Sequence, residues 1–190
     1  MCIRDSTGPV LILLPPSEKK SATPGPAIQV YTGVLYAALG WNALTKEEQR
    51  LGHSSIAIIS AKYGVVRPLD PIEPYKEKIK NKKMAPQVAQ ALDGAESELI
   101  IDCRSSTYQT VWRSPVATTV EIKVFTKIDG AKKVITHMSK KTRGEVTHHI
   151  LKGAKTPSNS HELKEIVAQK FECELLEGNK KNPWVLEVYC

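Results

Sequence analysis

Short apolar runs alternate with amphipathic segments along most of the chain. Three runs have the length and continuous apolar character of strands buried in a parallel sheet. They are residues 10–14, 55–60 and 99–102. Residues 118–127 alternate apolar and polar positions with a period of two, which predicts a strand with one exposed face. Two closing strands are predicted at 173–176 and 184–189.

Helices are predicted between the strands. A short helix is expected from the Tyr31-Thr32-Gly33 motif to Leu39, and 45–48 fits a capping box that opens a helix ending near Gly52. Pro86 is predicted in the first turn of a helix that Gly94 ends. A further helix is predicted through Trp112.

A hairpin interrupts this alternation in the second half of the chain. Asp129-Gly130 predicts a tight turn that leads residues 118–127 into a second strand at 133–137. Helices are predicted at 142–151 and 160–170. Strands that alternate with helices, together with one hairpin, predict an α/β fold in which helices flank a mixed β-sheet.

The length of 190 residues, with 41% hydrophobic and 25% charged residues, fits one globular domain at 10–190. We interpret residues 1–9 as a foreign or disordered tail, because MCIRDS resembles an in-frame translation of a sequencing adapter. No apolar run approaches the roughly 20 residues of a membrane span, and no signal peptide is evident. The four cysteines show no metal-ligand spacing. We therefore expect a soluble cytoplasmic protein without a cofactor or a membrane partner; the oligomeric state stays open.

The positive charge is concentrated in one segment. Residues 123–155 contain nine basic and two acidic residues, a surplus equal to the net charge of +7 of the whole chain. A surplus confined to one segment favours an anionic partner. The alternative is an ordinary solvated lysine face.

Polar residues cluster directly after several predicted strands. Because ligands of open α/β sheets bind at the carboxyl ends of the strands, these clusters predict a basic cleft there. The clusters are Ser17, Glu18 and Lys19; Lys62, Tyr63 and Arg67; Asp102, Arg104, Ser105 and Tyr108; and His137, Lys140, Lys141 and Arg143.

The segment Lys140–Glu145 contains the most specific anion-site pattern. Thr142 and Glu145 fit a capping box, so a helix is predicted to begin near Arg143. Its free backbone N–H groups would then lie beside Lys140, Lys141 and Arg143 and would suit a phosphate. A plain surface helix start is the alternative. His148-His149, which point about 100° apart on a helix, are interpreted as structural.

Asp102 and Arg104 place a carboxylate beside a cation at a strand end. Asp102 is therefore a candidate general base, or a hydrogen-bond acceptor for a ligand amine. The alternative is an internal Asp–Arg pair that fixes the loop. The loop tyrosines allow a similar choice, between stacking on bases and closing the rim of the core.

Four motifs occur in the order found in the YaaA peroxide-stress protein family, which the chain resembles. They are VYTGVLY (30–36), YGVVRPLDPIEPYK (63–76), IIDCRSSTY (100–108) and KKTRG (140–144), and LILLPPSEKK (11–20) resembles the first strand and loop of the family. The resemblance implies a cytosolic protein that binds DNA in a basic cleft and limits damage driven by peroxide and iron. The residues expected to bind nucleic acid or another phosphate-bearing ligand are Lys19 (with Lys20 as the alternative), Tyr31, Tyr63, Arg67, Tyr75, Lys76, Arg104, Ser105, Tyr108, Lys140, Lys141, Arg143 and Gly144.

The chain departs from the family in one place. Members usually carry a substantial helical segment before the YTG motif, where only residues 21–29 stand here. Prolines 68, 71 and 74 stiffen the long loop, so Arg67, Tyr75 and Lys76 are expected to be held over the strand edge facing Lys140–Arg143. The alternative for this loop is a rigid cover.

Two functions remain open from the sequence. The first is a stress-protective protein that binds nucleic acid. The second is an enzyme that acts on a nucleotide or nucleobase, with Asp102 as acid or base and with Arg67 and Arg143 as phosphate clamps. A role in binding iron has little support, because the histidines and cysteines form no recognisable ligand set.

Overall fold

The described part of the chain, residues 9–153 and 155–190 of a computed structural model, alternates strands with helices. The interpretation of residues 1–9 as a tail falls, apart from Pro9, outside the described residues. The strands are β1 (Val10–Leu14), β2 (Gly25–Pro26), β3 (Ile56–Ser60), β4 (Gly64–Val66), β5 (Pro71–Ile72), β6 (Leu99–Asp102), β7 (Thr119–Ile128), β8 (Ala131–Lys133), β9 (Glu172–Leu176) and β10 (Trp184–Tyr189). The helices are α1 (Ala27–Val30), α2 (Val34–Leu39), α3 (Lys46–Ser55), α4 (Asn81–Leu92), α5 (Ser106–Gln109), α6 (Thr136–Lys152) and α7 (Ser160–Ala168).

The described strands form one mixed sheet of eight and a separate short pair. The order in the large sheet is β4-β3-β1-β6-β7-β10-β9, and β8 pairs with β7. The five inner strands from β3 to β10 are parallel, whereas β4, β8 and β9 are antiparallel to their neighbours. The expectation of an α/β fold with a mixed sheet and flanking helices is therefore confirmed.

Helices pack on both faces of the sheet, where they form two separate cores. The main core packs α1, α2, α6 and α7 against the face that carries Ile12, Ile58, Ile101 and Val120. A second core, on the opposite face, packs Met84, Val88 and Leu92 of α4 against β1, β3 and β6. Because β1, β3 and β6 are buried on both faces, their sequences are apolar at nearly every position.

Several predicted element boundaries are wrong. Helix α4 begins at Asn81, five residues before Pro86, because Met84 already packs in the core. The helix expected through Trp112 ends at Gln109, since the Arg104 guanidinium donates to the carbonyls of Tyr108 and Trp112 and bends the chain. Helix α3 has the predicted capping box but runs to Ser55 rather than stopping near Gly52.

The predicted hairpin is present with a shorter second strand. Asp129 and Gly130 both have positive φ, 51° and 77°, as a type I′ turn requires. Strand β8 ends at Lys133, and α6 begins at Thr136 after two intervening residues. Glu121 of β7 pairs with Asp102 at the end of β6, and β7 continues for seven more residues. At about 3.3 Å per residue, the hairpin projects roughly 23 Å past the carboxyl end of β6.

Candidate functional site

The carboxyl ends of β1, β3 and β6 lie side by side, and a group of tyrosines packs over them. We call Tyr31, Tyr36, Tyr63 and Tyr75 the tyrosine cluster. The ring centroids of Tyr31 lie 5.3 Å from those of Tyr36 and 6.3 Å from those of Tyr75, and Tyr63 and Tyr75 are 5.8 Å apart. Edge-to-face rings at such distances stabilise one another beyond their burial. Three residues that the sequence singled out separately therefore meet at one edge, and Tyr36 joins them.

Buried hydroxyl groups connect part of this cluster. The Tyr75 hydroxyl lies 2.8 Å from the Tyr31 hydroxyl and 3.0 Å from the Ser60 hydroxyl. It also accepts a hydrogen bond from the backbone N–H of Ala61 at 3.2 Å. Burial raises the pKa of Tyr31 well above its usual value, with Tyr75 the next contribution. The Tyr31 and Tyr75 phenols are thus an internal polar group rather than an exposed stacking platform.

A lysine that the sequence left as the alternative packs against these rings. The ammonium nitrogen of Lys20 lies 4.1 Å from the ring centroid of Tyr75 and 5.9 Å from that of Tyr31, which are cation–π distances. Lys20 forms a β-bridge with Tyr31, which directs its side chain toward the cluster, whereas Lys19 is exposed. Lys76, directly after Tyr75, is also exposed.

Asp102 and Arg104 form a buried ion pair at the end of β6. The Nε and Nη2 atoms of Arg104 donate to the two carboxylate oxygens at 2.9 and 2.8 Å, a bidentate geometry. Nη1 donates to two backbone carbonyls, and Nη2 also reaches Ser114. Every nitrogen of this guanidinium is thus occupied inside the protein. The internal pair that the sequence offered as the alternative is the arrangement found, and a catalytic role for Asp102 stays a prediction.

Ser105 and Tyr108 follow this pair and lie near the tyrosine cluster. Ser105 precedes α5 without capping it through its side chain. The half-buried Tyr108 has a raised pKa because of burial, and Tyr75 and Glu18 add to the shift. Tyr108 thus lies close enough to Tyr75 and Glu18 for their charges to affect its titration.

Arg143 reaches the same edge from the middle of α6. Its Nε and Nη2 atoms both lie 3.3 Å from the backbone oxygen of Ile122. Burial lowers its pKa, and the neighbouring Cys103 and Asp102 oppose that shift. The fully buried Cys103 has a thiol pKa raised to about 12, chiefly by burial. At neutral pH this thiol is protonated and unreactive.

The predicted helix start at Arg143 is wrong. Helix α6 begins at Thr136, so Lys140, Lys141 and Arg143 lie within it and have no free backbone N–H groups beside them. Thr142 is buried rather than capping, and Glu145 forms an ion pair with Lys141 at 3.8 Å. The Thr-x-x-Glu pattern thus lies inside a longer helix, because the residues from Thr136 to Lys141 are also helical.

Gly144 serves helix packing. A Cβ atom at this position would lie 2.1 Å from the backbone oxygen of Leu35 and 2.9 Å from Cβ of Ala38. The absence of a side chain therefore lets α6 cross α2 at close range. This placement accounts for the glycine without a ligand, and its expected contact with phosphate stays a prediction.

Arg67 does not lie over the carboxyl edge. Its Nη1 donates to the carbonyls of Ser54 and Ile56 at 3.0 and 2.9 Å, where α3 ends and β3 begins. That position is about 13 Å along β3 from Ser60. Asp70 accepts a hydrogen bond from the Arg67 backbone N–H at 2.7 Å and fixes the turn. The expectation that the proline-rich loop directs Arg67 toward α6 is wrong, although the same loop does deliver Tyr75.

Acidic residues, four of them outside the basic segment, neutralise much of its charge. Five of its lysines form ion pairs, namely Lys123 with Glu121, Lys127 with Glu172, Lys132 with Glu187, Lys141 with Glu145 and Lys155 with Glu162. Within the described residues, no ion pair involves Lys133, Lys140, Arg143 or Lys152. A second basic run, Lys76 to Lys83, contains five exposed lysines, and no ion pair between described residues includes them.

His148 and His149 of α6 have structural partners, as the sequence analysis interpreted them. His148 Nδ1 lies 2.7 Å from the Leu39 carbonyl, and His149 Nε2 lies 2.9 Å from that of Ile166. Residues 9–153 and 155–190 contain no group of three or more potential metal ligands. None of the helices in these ranges is long and apolar enough to cross a membrane.

Comparison with known proteins identifies the family. The family model described as peroxide stress protein YaaA matches residues 12–175. The chain belongs to this family. It is 32% identical over 176 residues to a UPF0246 protein of Corynebacterium efficiens, covering 85% of this chain and 69% of the relative. UPF0246 proteins of Corynebacterium glutamicum and Streptomyces coelicolor are 33% and 28% identical, covering 74% and 90% of this chain but 60% and 71% of their own lengths.

The structure also identifies residues that the sequence analysis did not select. Ser60 is the last residue of β3, and its hydroxyl accepts from the backbone N–H groups of Lys62 and Tyr63. Tyr36 donates to the Pro15 carbonyl at 2.7 Å and so ties α2 to the loop after β1. Both residues follow short apolar runs, and this position is the sequence feature that could have identified them.

Proposed function

We propose that this YaaA-family protein acts in the peroxide stress response by binding nucleic acid at the carboxyl edge of its sheet, and thereby limits damage driven by peroxide and iron. The observation that carries the proposal is the run Lys76–Lys83. Its five lysines are exposed and lack carboxylate partners among the described residues, and the run begins directly after Tyr75 of the tyrosine cluster. Lysines that contact phosphates displace the counterions condensed on the nucleic acid, and the release of these ions drives binding.

The β7–β8 hairpin supports the same proposal from the other side of the edge. It projects past β6, and Lys133 and Lys140 near its base have no ion-pair partners within the described ranges. Two groups of available lysines therefore flank the edge. A location in the reducing cytoplasm is part of the proposal, and the free thiols of Cys103, Cys173 and Cys190 are compatible with it.

The positions of one expected phosphate clamp and of the expected base count against the enzymatic alternative. Nη1 of Arg67 donates to two backbone carbonyls that lie about 13 Å from Ser60 along β3. The carboxylate of Asp102 is paired with Arg104. We therefore rank nucleic-acid binding above it.

The test is fluorescence anisotropy of a labelled DNA duplex at several salt concentrations. We expect the affinity to fall steeply with salt, and the variant Lys82→Ala/Lys83→Ala to reduce the logarithmic salt slope by about 2, one for each lost phosphate contact. Lys180→Ala/Lys181→Ala removes the same charge from an exposed loop between β9 and β10 and should leave the slope unchanged. No binding by the folded protein, or equal loss in both variants, would refute the proposal.

A further inference from the structure

We propose that Lys20 is a reactive amine, and that the edge around it binds a small anionic carbonyl compound such as a phosphorylated aldehyde or ketone. The proposal does not depend on nucleic-acid binding, because it rests on Lys20 and the tyrosine cluster and shares only Lys76 with the lysine run. The proposal explains why Lys20 packs on buried tyrosine rings, which binding to phosphates would not require.

The position of Lys20 is unusual for a surface lysine. Its side chain is half-buried against Tyr75, and its nitrogen makes only a long contact, 3.5 Å, with the backbone oxygen of Glu18. No described carboxylate lies within ion-pair distance of this nitrogen. Burial lowers the pKa of Lys20, and the more distant charges of Glu18 and Glu77 oppose the shift. Burial therefore favours the unprotonated, nucleophilic form of the amine, whereas the cation–π contacts with Tyr75 and Tyr31 favour the ammonium form.

The hydrogen bonds among the buried hydroxyl groups near the amine run in one direction, which follows from the donors and acceptors at each oxygen. The Ser60 oxygen accepts from the N–H groups of Lys62 and Tyr63, so its own proton is left for Tyr75. The Tyr75 oxygen then accepts from Ser60 and from Ala61 N–H. Its own proton is therefore directed to Tyr31 at 2.8 Å. This chain is preorganised to supply or take up a proton beneath the amine.

Two exposed lysines that adjoin Lys20 and Tyr75 in the sequence are the candidates for binding an anionic group. Lys19 precedes Lys20 and Lys76 follows Tyr75, and both side chains are exposed. Neither forms an ion pair with a described residue. A ligand whose carbonyl reaches Lys20 can therefore present a phosphate to Lys19 or Lys76.

The proposed reaction needs no other reagent. The unprotonated nitrogen of Lys20 forms a bond to the carbonyl carbon, and the carbonyl oxygen takes up a proton from the hydroxyl chain. Nitrogen then gives up its two protons, one to the oxygen, which leaves as water, and one to the hydroxyl chain, which returns to its initial state as the imine forms. Amine and carbonyl compound thus give imine and water, with no change in oxidation state.

The test uses pyridoxal 5′-phosphate, an aldehyde that carries a phosphate. The full chain is incubated with the probe, reduced with borohydride to fix any imine, and digested for mass spectrometry. We expect the label to be concentrated on Lys20, ahead of its neighbour Lys19, and inorganic phosphate to compete. Label that is spread over Lys19 and the run Lys76–Lys83, or no label at all, would overturn the proposal.

Two controls separate the parts of the inference. Pyridoxal lacks the phosphate and should label Lys20 more slowly; equal rates would overturn the anionic part. Tyr75→Phe keeps the ring under Lys20 but cuts the hydroxyl chain, and should slow labelling roughly tenfold or more. An unchanged rate in a variant that is folded by circular dichroism would overturn the role of the chain, and Tyr31→Phe provides a second variant if Tyr75→Phe unfolds. A protein that labels at Lys20 but binds no duplex would retain this inference while losing the proposed function.

Discussion

Replacing Gly144 with alanine tests both the helix packing and the assignment of this glycine. The added methyl would lie 2.1 Å from the backbone oxygen of Leu35, whereas carbon–oxygen contacts in proteins are seldom shorter than about 3.3 Å. Helices α2 and α6 must therefore separate by about 1 Å. Leu35 is buried and its backbone oxygen cannot rotate away as a side chain can.

The expected cost follows from two opposing effects. Overpacking of a tight contact costs up to about 3 kcal/mol. Alanine in place of glycine inside a helix returns about 1 kcal/mol. The net loss in the free energy of unfolding is about 2 kcal/mol, which for a chain of this size lowers the melting temperature by roughly 4–8 °C.

Thermal unfolding followed by circular dichroism measures this change. Gly25→Ala is the matched control, because the nearest atom to its added Cβ is 3.9 Å away, and we expect its stability to stay within about 0.5 kcal/mol. An unchanged or raised melting temperature for Gly144→Ala would refute the close helix crossing. Weaker ligand binding at an unchanged melting temperature would instead return Gly144 to the ligand site.

Three further predictions concern buried polar groups. Arg67→Met leaves two carbonyl oxygens without their donor and should lower the free energy of unfolding by about 2–3 kcal/mol in urea titrations; a change below 0.5 kcal/mol, about the size of an ordinary surface substitution, would contradict this. Asp102→Asn leaves the buried Arg104 guanidinium without its counter-charge and should cost about 3 kcal/mol in the same assay, with wild-type stability as the contrary outcome. The raised pKa of Cys103 means that the folded state holds the thiol proton more tightly than the unfolded state. Its contribution to stability is complete below about pH 9 and is lost as the pH rises toward 12, so urea titrations across that range should show a steeper decline for the wild type than for Cys103→Ala, and equal slopes would disprove the effect.

The sequence was most informative where one local rule had no competitor. The continuous apolar runs of β1, β3 and β6 have only one stable location, the middle of a covered sheet. The Asp129-Gly130 pair needs positive φ at both positions, and the type I′ turn supplies it. Such signals are local, so they survive the tertiary context.

The predictions about the site were weaker because they depended on contacts distant in sequence. Thr142 and Glu145 do match the sequence of a capping box. The helix nevertheless begins upstream, and Ser139 and Thr142 are buried within it. Arg67 follows a strand that runs antiparallel to β3, and so it lies at the opposite end of β3 from Ser60. The choice between Lys19 and Lys20 depended on the bridge between Lys20 and Tyr31, which no nearby residue signals.

The position of β9 in the sheet has a consequence for the order in which the protein can assemble during synthesis. Strand β9 precedes β10 in the chain, yet among the described strands its partner is β10, which lies between β9 and β7. When residues 172–176 leave the ribosome, the parallel strands β1, β3, β6 and β7 have already been made, but β9 cannot join them directly. Until residues 184–189 emerge, β9 and the adjacent α7 are without their sheet neighbour. Nascent chains arrested on either side of β10 should therefore differ sharply in protease resistance around α7.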